Sequence, residues 1–304
     1  MKKEREQKMQ NDQMIHAMLF DGQAYAVAIT AREMVEHARQ LHHLTPVTTA
    51  ALGRVMMGAL LCASDIKAAN GDVTATVDGG GPAGKALAVA RPDGDVRAYI
   101  EHPEADLPPR ESDHKLDVSG ALGRAGRLTI IKDNGGKEPY IGQVQLQTGE
   151  VAEDFAYYFA LSEQRPCLVF LGVVVDVDGS VKSAGALGVF PLPACETYVL
   201  DALETRIAVS SHLSAMLAGG TPLDKCLEVI FDGMNMKCTA RTPVRYKCNC
   251  SRERMERALI SVGKEELEKM RDEDGHAELT CHFCHTTHRF DGADLQRLID
   301  TATA

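Results

Sequence analysis

Two close pairs of cysteines near the C-terminus constrain the fold of this 304-residue chain more than any other feature. Cys248 and Cys250 have the spacing Cys-x-Cys, and Cys281 and Cys284, thirty residues further on, have the spacing Cys-x-x-Cys. Four soft thiolates on two short loops favour one tetrahedral zinc ion at about 2.3 Å from each sulfur. The same sulfurs can instead leave the metal as two disulfides between near neighbours. The pattern therefore predicts a zinc site that is also a candidate redox switch.

These cysteines lie in residues 248–304. A segment this short needs a stabilising link, such as a bound metal, in addition to its apolar core. Structural zinc contributes on the order of 10–16 kcal/mol to such units, so we expect loss of the metal to unfold this one. Four buried structural cysteines are the alternative interpretation, but two close pairs in one short unit favour metal binding. His282, His285 and His288 lie beside the second pair as rival ligands. Because four thiolates already complete a tetrahedron, the histidines are left a supporting or surface role.

Composition places the chain among ordinary soluble globular proteins of more than one unit, with 44% hydrophobic and 25% charged residues. The charged N-terminal sequence has no apolar segment behind it, so residues 1–9 are predicted to be a disordered tail rather than a secretory signal. No stretch approaches the roughly 18 apolar residues of a membrane span. We therefore expect a cytoplasmic protein with reduced thiols and no membrane partner. The net charge of −10 argues against nucleic acid as a partner.

An α+β core domain is predicted for residues 10–193, because helical patterns there are mixed with hairpins rather than alternating with single strands. Apolar spacing predicts helices over residues 31–44, 46–66 and 150–162. Turn sequences predict hairpins over residues 86–100, 128–146 and 167–190.

A helical linker is predicted for residues 194–247, where apolar residues recur at helical spacing up to about Asp232. Two interpretations stay open. The helices are either an amphipathic pair packed on the first domain, or a segment that exposes apolar surface when the metal unit unfolds. Residues 248–304 complete the chain as a small zinc-binding domain. It contains a helix capped by Ser251, a short hairpin that carries the second cysteine pair, and a last helix.

Three other patterns carry less information. Residues 79–85 (GGGPAGK) match most of a phosphate loop, but Ala86 replaces the final Ser/Thr and no helix has room to follow, which favours a structural turn. The acidic run at residues 265–268 is expected on the solvated face of a helix rather than in an acid–base pair. The remaining cysteines are expected to pack in the core. Among them, Cys238 is the candidate for forming a disulfide outside the metal site. These remaining cysteines are Cys62, Cys167, Cys195, Cys226 and Cys238.

The cysteine motifs and their surroundings resemble the 33 kDa chaperonin (heat shock protein 33) family. The resemblance rests on residues 246–254 (YKCNCSRER), with residues 273–275 (EDG) and the second cysteine pair downstream. It extends through the first domain in the expected order, at residues 51–54 (ALGR), 79–82 (GGGP), 96–99 (VRAY) and 162–164 (SEQ). Met255 stands where some members carry a further cysteine, and Cys195, Cys226 and Cys238 are additional. These departures leave the disulfide specificity open.

The resemblance implies an α+β core, a metastable helical linker and a C-terminal zinc switch. It also implies an ATP-independent holdase chaperone, not an enzyme, that binds unfolding client proteins under oxidative stress. Cys248, Cys250, Cys281 and Cys284 would hold one zinc ion per chain in the reduced state. By resemblance, oxidation forms the disulfides Cys248–Cys250 and Cys281–Cys284, releases zinc, loosens the linker and yields a homodimer with an exposed client surface. Thioredoxin- or glutaredoxin-type reductants would reduce these disulfides and return the protein to its reduced state.

Two other functions are compatible with four clustered cysteines. A zinc-ribbon module would bind nucleic acid, but residues 248–304 contain eight Lys/Arg against twelve Asp/Glu, so the basic footprint is missing. A thiol–disulfide oxidoreductase needs its Cys-x-x-Cys at the start of a helix beside a βαβ sheet, whereas Cys281 and Cys284 fall in a predicted hairpin. Both functions stay as alternatives at this point.

Overall fold

The computed structural model describes residues 12–136, 138–210 and 212–302. The tail predicted for residues 1–9 lies outside these ranges. The chain divides into two compact units, Met1–Lys247 and Cys248–Ala304. Helices are mixed with mostly antiparallel sheets, so the fold is α+β, as predicted.

Two β-sheets form the frame of the first unit. Its strands are β1 (Gln13–Leu19), β2 (Ala24–Thr30), β3 (Asp72–Gly80), β4 (Ala86–Ala90), β5 (Asp95–Ile100), β6 (Gly123–Asp133), β7 (Tyr140–Gln145), β8 (Leu168–Val175), β9 (Val181–Pro191), β10 (Lys237–Pro243) and β11 (Arg245–Tyr246). The five-stranded sheet has the order β10-β1-β2-β9-β8, and the six-stranded sheet has the order β11-β5-β4-β3-β6-β7. Neighbouring strands are antiparallel, except that β11 pairs with β5 in parallel.

One long helix lies between the two sheets and forms the centre of the main core. The helices of this unit are α1 (Arg32–His42), α2 (Pro46–Ala63), α3 (Val118–Leu122), α4 (Ala152–Ser162), α5 (Thr197–Ser210), α6 (Leu213–Ala218) and α7 (Leu223–Ile230). Helix α2 begins at Thr45, whose hydroxyl accepts a hydrogen bond from the Thr48 amide at 3.3 Å, and Pro46 occupies its first turn. It contacts strands of both sheets, and all its residues except Pro46 and Arg54 are buried.

Helix α2 also has the length and composition of a membrane span, contrary to the expectation that no stretch approaches one. It is the one such helix in the described part of the chain, and 89% of it is buried inside the fold. A helix enclosed by two sheets has to be apolar all round, because every side faces the core. Its position in the core therefore accounts for its composition.

Helices α5, α6 and α7 cover the outer face of the five-stranded sheet, where a second apolar cluster forms. The period of two along each strand places alternate side chains on opposite faces. In β2, Val27 and Ile29 belong to the main core, whereas Ala26 and Ala28 lie in the cluster under the helices. The amphipathic pattern predicted for this segment thus reflects packing on the first unit's own sheet.

The predicted hairpins over residues 86–100, 128–146 and 167–190 are confirmed as β4–β5, β6–β7 and β8–β9. The helices predicted from Glu196 to about Asp232 are present as α5, α6 and α7, which end at Ile230, whereas β10 and β11 beyond them were not predicted. The reason is long-range pairing: β10 lies along β1, with Pro243 opposite Gln13, and such partners are not visible in a local pattern. The division between a core domain and a linker at residue 193 stays a prediction.

In its described residues, 248–302, the second unit combines three α-helices with one hairpin. Its elements are α8 (Arg252–Val262), α9 (Lys264–Lys269), β12 (His276–Thr280), β13 (Thr287–Asp291) and α10 (Gly292–Ala302). The predicted capped helix, hairpin and last helix are therefore present. Seven buried apolar residues form its core, with the Arg252 guanidinium 4.4 Å above the Phe290 ring. They are Leu259, Leu267, Ala277, Phe290, Leu295, Leu298 and Ile299.

Candidate metal centre

The first cysteine pair lies in the loop that leads into α8. The hydroxyl of Ser251 caps this helix and accepts a hydrogen bond from the Arg254 amide at 3.4 Å. The Arg254 guanidinium donates in turn to the Asn249 carbonyl at 3.3 Å and to its side-chain oxygen at 2.5 Å. The Cys250 amide lies 3.4 Å from the sulfur of Cys248 and donates to it. The helix start and the arginine together fix the loop between the two sulfurs.

The second pair lies in the turn between β12 and β13. The Cys281 amide donates to the Thr286 carbonyl at 3.0 Å, and the His285 amide donates to the Cys281 carbonyl at 2.8 Å. His285 has a φ of +55°, in the left-handed region that reverses the chain direction. This tight turn places the sulfurs of Cys281 and Cys284 on the same side of the hairpin end.

The four predicted ligands meet in one cluster. Their sulfur atoms all lie within 4.8 Å of one another. The Cys248 sulfur is 3.7 Å from that of Cys281, and the Cys250 sulfur is 3.3 Å from that of Cys284. Four sulfurs bound at 2.3 Å to a tetrahedral ion are separated by about 3.8 Å. The cluster therefore has the donor set and the dimensions to hold one metal ion of this kind.

The surroundings shift the pKa of three of these thiols in different directions. Burial, together with hydrogen bonds among the sulfurs, raises the pKa of Cys248 to about 11 and raises the pKa of Cys250 above its usual range. Burial acts in the same direction on Cys284, but hydrogen bonds from Thr286 outweigh it and lower the pKa of this thiol to about 7. The Thr286 hydroxyl oxygen lies 3.3 Å from the Cys284 sulfur. A bound cation would favour the thiolate form at all four positions.

The three neighbouring histidines do not join the sulfurs. Among the described residues, the group of close metal-ligating side chains consists of the four cysteines, and no histidine nitrogen belongs to it. His288 lies on β13, and its Nε2 atom is buried without a hydrogen-bond partner. The arrangement therefore favours a tetrathiolate ligand set over a mixed one.

The other five cysteines are spread over the first unit and are free. Burial raises the pKa of Cys62 well above its usual value, the pKa of Cys167 to about 12 and that of Cys226 to about 11. These three are protonated thiols at neutral pH, in keeping with a packing role. Cys195 is half-buried, whereas Cys238 is exposed on the edge strand β10, so the core-packing expectation is wrong for Cys238.

The segment that resembles a phosphate loop, residues 79–85, closes the turn between β3 and β4. Its amides are used within the chain: Gly81 donates to the Leu122 carbonyl at 3.0 Å, and Ala83 donates to the Ala121 carbonyl at 2.9 Å. A Cβ at Gly81 would lie 2.3 Å from the Ala121 oxygen, so the close approach to α3 requires glycine there. Amides that are already paired cannot cradle a phosphate, which supports the structural interpretation.

Together, fold and site define a class of protein: an α+β unit followed by a small unit that carries four clustered cysteines able to hold a metal ion. The sequence profile of the Hsp33 protein family matches residues 12–291. A 33 kDa chaperonin of Clostridium perfringens is 40% identical over 290 residues, which make up 95% of this chain and 91% of the relative. A 33 kDa chaperonin of Clostridium beijerinckii is 39% identical over 291 residues, or 96% of this chain and 99% of the relative.

A solved structure has the same fold. The crystal structure of the 33 kDa chaperonin (heat shock protein 33 homolog) of Thermotoga maritima matches with a TM-score of 0.85 at 34% identity, over 97% of this chain and 99% of that one. The chain therefore belongs to the Hsp33 family. The resemblance seen in the cysteine motifs is confirmed over nearly the whole chain, and the functional class that follows is a chaperone.

Proposed function

We propose that this chain is a redox-regulated, ATP-independent holdase chaperone that oxidants switch on. The observation that carries the proposal is the cluster of four sulfurs within 4.8 Å, in a unit whose described core has seven buried apolar residues. A unit with so small a core depends on a structural metal for most of its folding free energy, on the order of 10 kcal/mol. Oxidation of these sulfurs would unfold the unit, because it removes the ligands that join its two cysteine loops.

In the reduced state, Cys248, Cys250, Cys281 and Cys284 would hold one zinc ion, the metal that four thiolates favour. When bound, zinc supplies four bonds that join the loop before α8 to the turn between β12 and β13. Individual hydrogen-bonding groups of the chain face two of the sulfurs. The Cys250 amide donates to the Cys248 sulfur, and the Thr286 hydroxyl lies beside the Cys284 sulfur.

The oxidation would proceed with hydrogen peroxide as a two-electron oxidant. Each pair of thiols loses two electrons and two protons as one sulfur–sulfur bond forms, and one peroxide is reduced to two waters. Two peroxides therefore convert the four thiols into two disulfides. We propose the pairs Cys248–Cys250 and Cys281–Cys284, which the resemblance to the Hsp33 family implies. Sulfurs in disulfides no longer serve as thiolate ligands, so the link between the loops is lost and the metal with it.

The linker helices and the sheet beneath them would supply the client-binding surface. Their contact is apolar on both sides: Leu213 and Leu227 are 0% and 2% exposed, and Leu19 on β1 is 0% exposed. Separation of the helices from the sheet would expose both faces, and unfolding proteins bind such surfaces without ATP. Met234 and Met236 at the end of the segment add adaptable apolar contacts.

The remaining parts of the proposal follow from the same chemistry. Exposed apolar surface on two chains favours a homodimer in the oxidised state. Disulfides between near neighbours are substrates for thioredoxin- or glutaredoxin-type reductants, which would restore the four thiols. A cytoplasmic location would keep the centre reduced until oxidative stress. In this proposal the chain binds clients and zinc, acts on no substrate as an enzyme, and has neither nucleic acid nor membrane as a partner.

An aggregation assay tests the proposal. Reduced, zinc-loaded protein should leave the light scattering of a heat-denatured client unchanged, and peroxide or hypochlorite with mild heat should make it suppress that scattering. Zinc release, followed with a colorimetric chelator in the same sample, should accompany the gain of activity. Cys195→Ser, which removes a thiol outside the cluster, is the matched control and should switch like the parent chain. Equal suppression by the reduced and oxidised protein would refute redox control.

The two alternative functions have less support. Cys281 and Cys284 lie in a hairpin turn rather than at a helix N-terminus, which is where oxidoreductases activate such a pair. The excess of acidic over basic residues in residues 248–304 opposes binding of nucleic acid. Turnover in an insulin-reduction assay, or salt-sensitive binding of RNA or DNA, would revive one or the other.

A further inference from the structure

A small cavity lies between the linker helices and the five-stranded sheet, at the turn that joins α6 to α7. Its volume is about 150 Å³, and a cavity of that volume can hold a molecule as large as benzene. Asp12, Thr30 and Ser183 line it on the side of the sheet. Leu217 and Pro222 line it on the side of the linker. The cavity is therefore closed only while the linker lies on the sheet.

The carboxyl group of Asp12 is the buried charge of this cavity, with 5% of the residue exposed. Its Oδ2 accepts a hydrogen bond from the Met34 amide, in the first turn of α1, at 2.7 Å. No lysine, arginine or histidine of the described residues forms an ion pair with it. Burial, together with the negative charge of Glu33, raises the pKa of Asp12 to about 7, although the amides at the start of α1 act in the opposite direction. A buried carboxylate without a cationic partner is costly, so the cavity favours a ligand that carries a positive charge.

The other charged side chains of the lining already have partners. The Arg32 guanidinium pairs with the carboxylate of Glu33, its neighbour in the chain. The Lys182 ammonium group lies 3.8 Å from the Asp176 carboxylate. Asp12 therefore remains the one carboxylate of the lining without a counter-ion among the described residues.

The chemistry of the lining favours an ammonium group over a metal ion. Within the described part of the chain, Asp12 belongs to no group of three or more close metal-ligating side chains, and a hard cation such as calcium needs about six oxygen ligands. An ammonium group donates up to three hydrogen bonds, and the hydroxyl oxygens of Thr30 and Ser183 lie in the same lining as the carboxylate. Leu217 and Pro222 form an apolar wall that suits a short alkyl chain.

We propose that this cavity binds a small primary amine, whose ammonium group pairs with the Asp12 carboxylate and whose alkyl chain lies against Leu217 and Pro222. Because one wall belongs to the turn between α6 and α7, a bound amine would stabilise the linker helices on the sheet. This consequence rests on the proposed function, in which separation of these helices exposes the client-binding surface. The ligand would therefore oppose activation without contact with the four sulfurs.

An NMR titration of the reduced, full-length chain with n-butylammonium chloride, at constant ionic strength and about pH 8, tests the site. The matched ligand is 1-butanol, which has the same alkyl chain and no charge. We expect one amine per chain, bound at least about tenfold more tightly than the alcohol, because a hydrogen bond to a charged group adds to the apolar contact. The amide signals of Thr30, Ser183 and Thr221, which all line the cavity, should shift.

Two substitutions locate the charge that binds the amine. Asp12→Asn keeps an oxygen that can accept from the Met34 amide, and it should weaken amine binding at least about tenfold while leaving binding of 1-butanol unchanged. Asp78→Asn is the matched control, since it removes one negative charge from the six-stranded sheet, where Asp78 pairs with Lys85 at 3.6 Å. This control should bind the amine like the parent chain.

The pH dependence gives a second measurement if Asp12→Asn does not fold. The amine stays protonated between about pH 8 and about pH 6 and binds the ionised carboxylate, so its affinity for the parent chain should fall as the pH is lowered through this range. His37→Gln, which removes a histidine from the second cavity that Asp12 borders, should keep this dependence. The charged or titratable groups that line the two cavities with Asp12 are Arg32, Glu33, Glu36, His37, Lys182, Arg245 and Tyr246.

Hydrogen exchange in residues 213–230 measures the effect on the linker. At an amine concentration of about ten times the dissociation constant, exchange that requires the linker to leave the sheet should slow by about tenfold, since only the closed form binds the ligand. Unchanged exchange at that concentration would refute the effect on the linker.

Three further results would overturn the site itself. They are equal affinity for the amine and for 1-butanol, full amine binding by a folded Asp12→Asn chain, and displacement of the amine by magnesium or calcium chloride, which would assign the cavity to a metal ion instead. Failure of the aggregation assay would leave the binding and exchange results standing, so the two proposals fail separately.

Discussion

In the first unit, 49 buried apolar residues in the described chain form the main core around α2, whereas seven form the core of the second unit. The stability of the first unit is spread over many contacts, and no single side chain carries most of it. Under the proposed function, the largest share in the second unit would lie with four sulfur atoms and the ion that they can hold. A chemical event at one point would then unfold the second unit and leave the first intact.

The same comparison explains where a redox signal is useful. Cys62 and Cys226 lie within the large cores of the first unit, where burial keeps them protonated and out of reach of oxidants. The four cysteines of the metal centre lie on short loops, and three of them are half-buried. The proposed function would thus place the sensitivity to oxidants where folding depends on the sulfurs.

The largest effect that separates the two units should come from loss of one sulfur ligand. Cys281→Ser should lower the zinc content from one per chain towards zero and make residues 248–302 sensitive to protease. The variant would lose the free energy of folding that the metal contributes, on the order of 10 kcal/mol. Cys226→Ser, a buried cysteine of the first unit, should leave the zinc content unchanged. Full zinc content in Cys281→Ser, measured by atomic spectroscopy, would exclude this cysteine from the ligand set.

Truncation of one buried phenylalanine in each unit should show how differently the stability of the two units depends on zinc. Phe155 and Phe290 are both 0% exposed. Phe155→Ala should lower the free energy of unfolding of the first unit by about 3–5 kcal/mol with or without zinc. Phe290→Ala should act on the second unit only when zinc is bound, because without it the unit is already unfolded. Urea denaturation of both variants, with and without chelator, measures this, and a stable Phe290 core in the chelated parent chain would contradict the comparison.

A truncation in the linker should show how firmly its helices are held. Leu227 on α7 is 2% exposed, and Val229 on the same helix is 53% exposed. Leu227→Ala should weaken the packing of the helix on the sheet by about 2–5 kcal/mol and raise the binding of a hydrophobic dye by the reduced protein. Val229→Ala should change neither. Equal dye binding by the two variants would mean that this contact does not keep the apolar surface covered.

The smallest effects are expected from matched helix caps in the two units. Thr45 caps α2 and Ser251 caps α8. Each substitution by alanine should cost about 1 kcal/mol. Thr45→Ala should lower the free energy of unfolding of the first unit, whereas Ser251→Ala should appear as roughly fivefold weaker zinc binding, since folding and metal binding are linked there. Competition with a chelator measures the second effect, and unchanged zinc affinity would argue that α8 forms independently of the metal.

The cluster of four cysteines could be predicted from the sequence because its members come in local pairs. The spacing of Cys248 with Cys250 and of Cys281 with Cys284 fixes two short loops, and residues 248–304 are too few to keep those loops far apart. The hairpins of the first unit could be predicted as well, since turn residues stand between strands in which apolar and polar residues alternate. In each case the information lies within a few tens of residues.

Pairings between distant parts of the chain could not be predicted in this way. Strands β1 and β2 are joined by Phe20, Asp21 and Gly22 in a tight turn with two non-glycine residues at positive φ, which gives no ordinary hairpin signal. Residues 237–243 are almost all exposed, so they lack the alternation that marks a strand. Strand β11 (Arg245–Tyr246) forms only because β5 is there to pair with it.

The pairing of β1 with β10 also has a consequence for the making of the protein. Met14 lies opposite Thr242, so synthesis has to reach residue 242 before β1 receives its second neighbour. Until then the edge of β1 is an open row of peptide groups on the nascent chain, and such edges pair with other chains. The hairpin of β1 and β2 would therefore keep an unpaired edge during synthesis, unless another chaperone covers it. This edge would be paired only when β10 is made, shortly before the metal-binding loops.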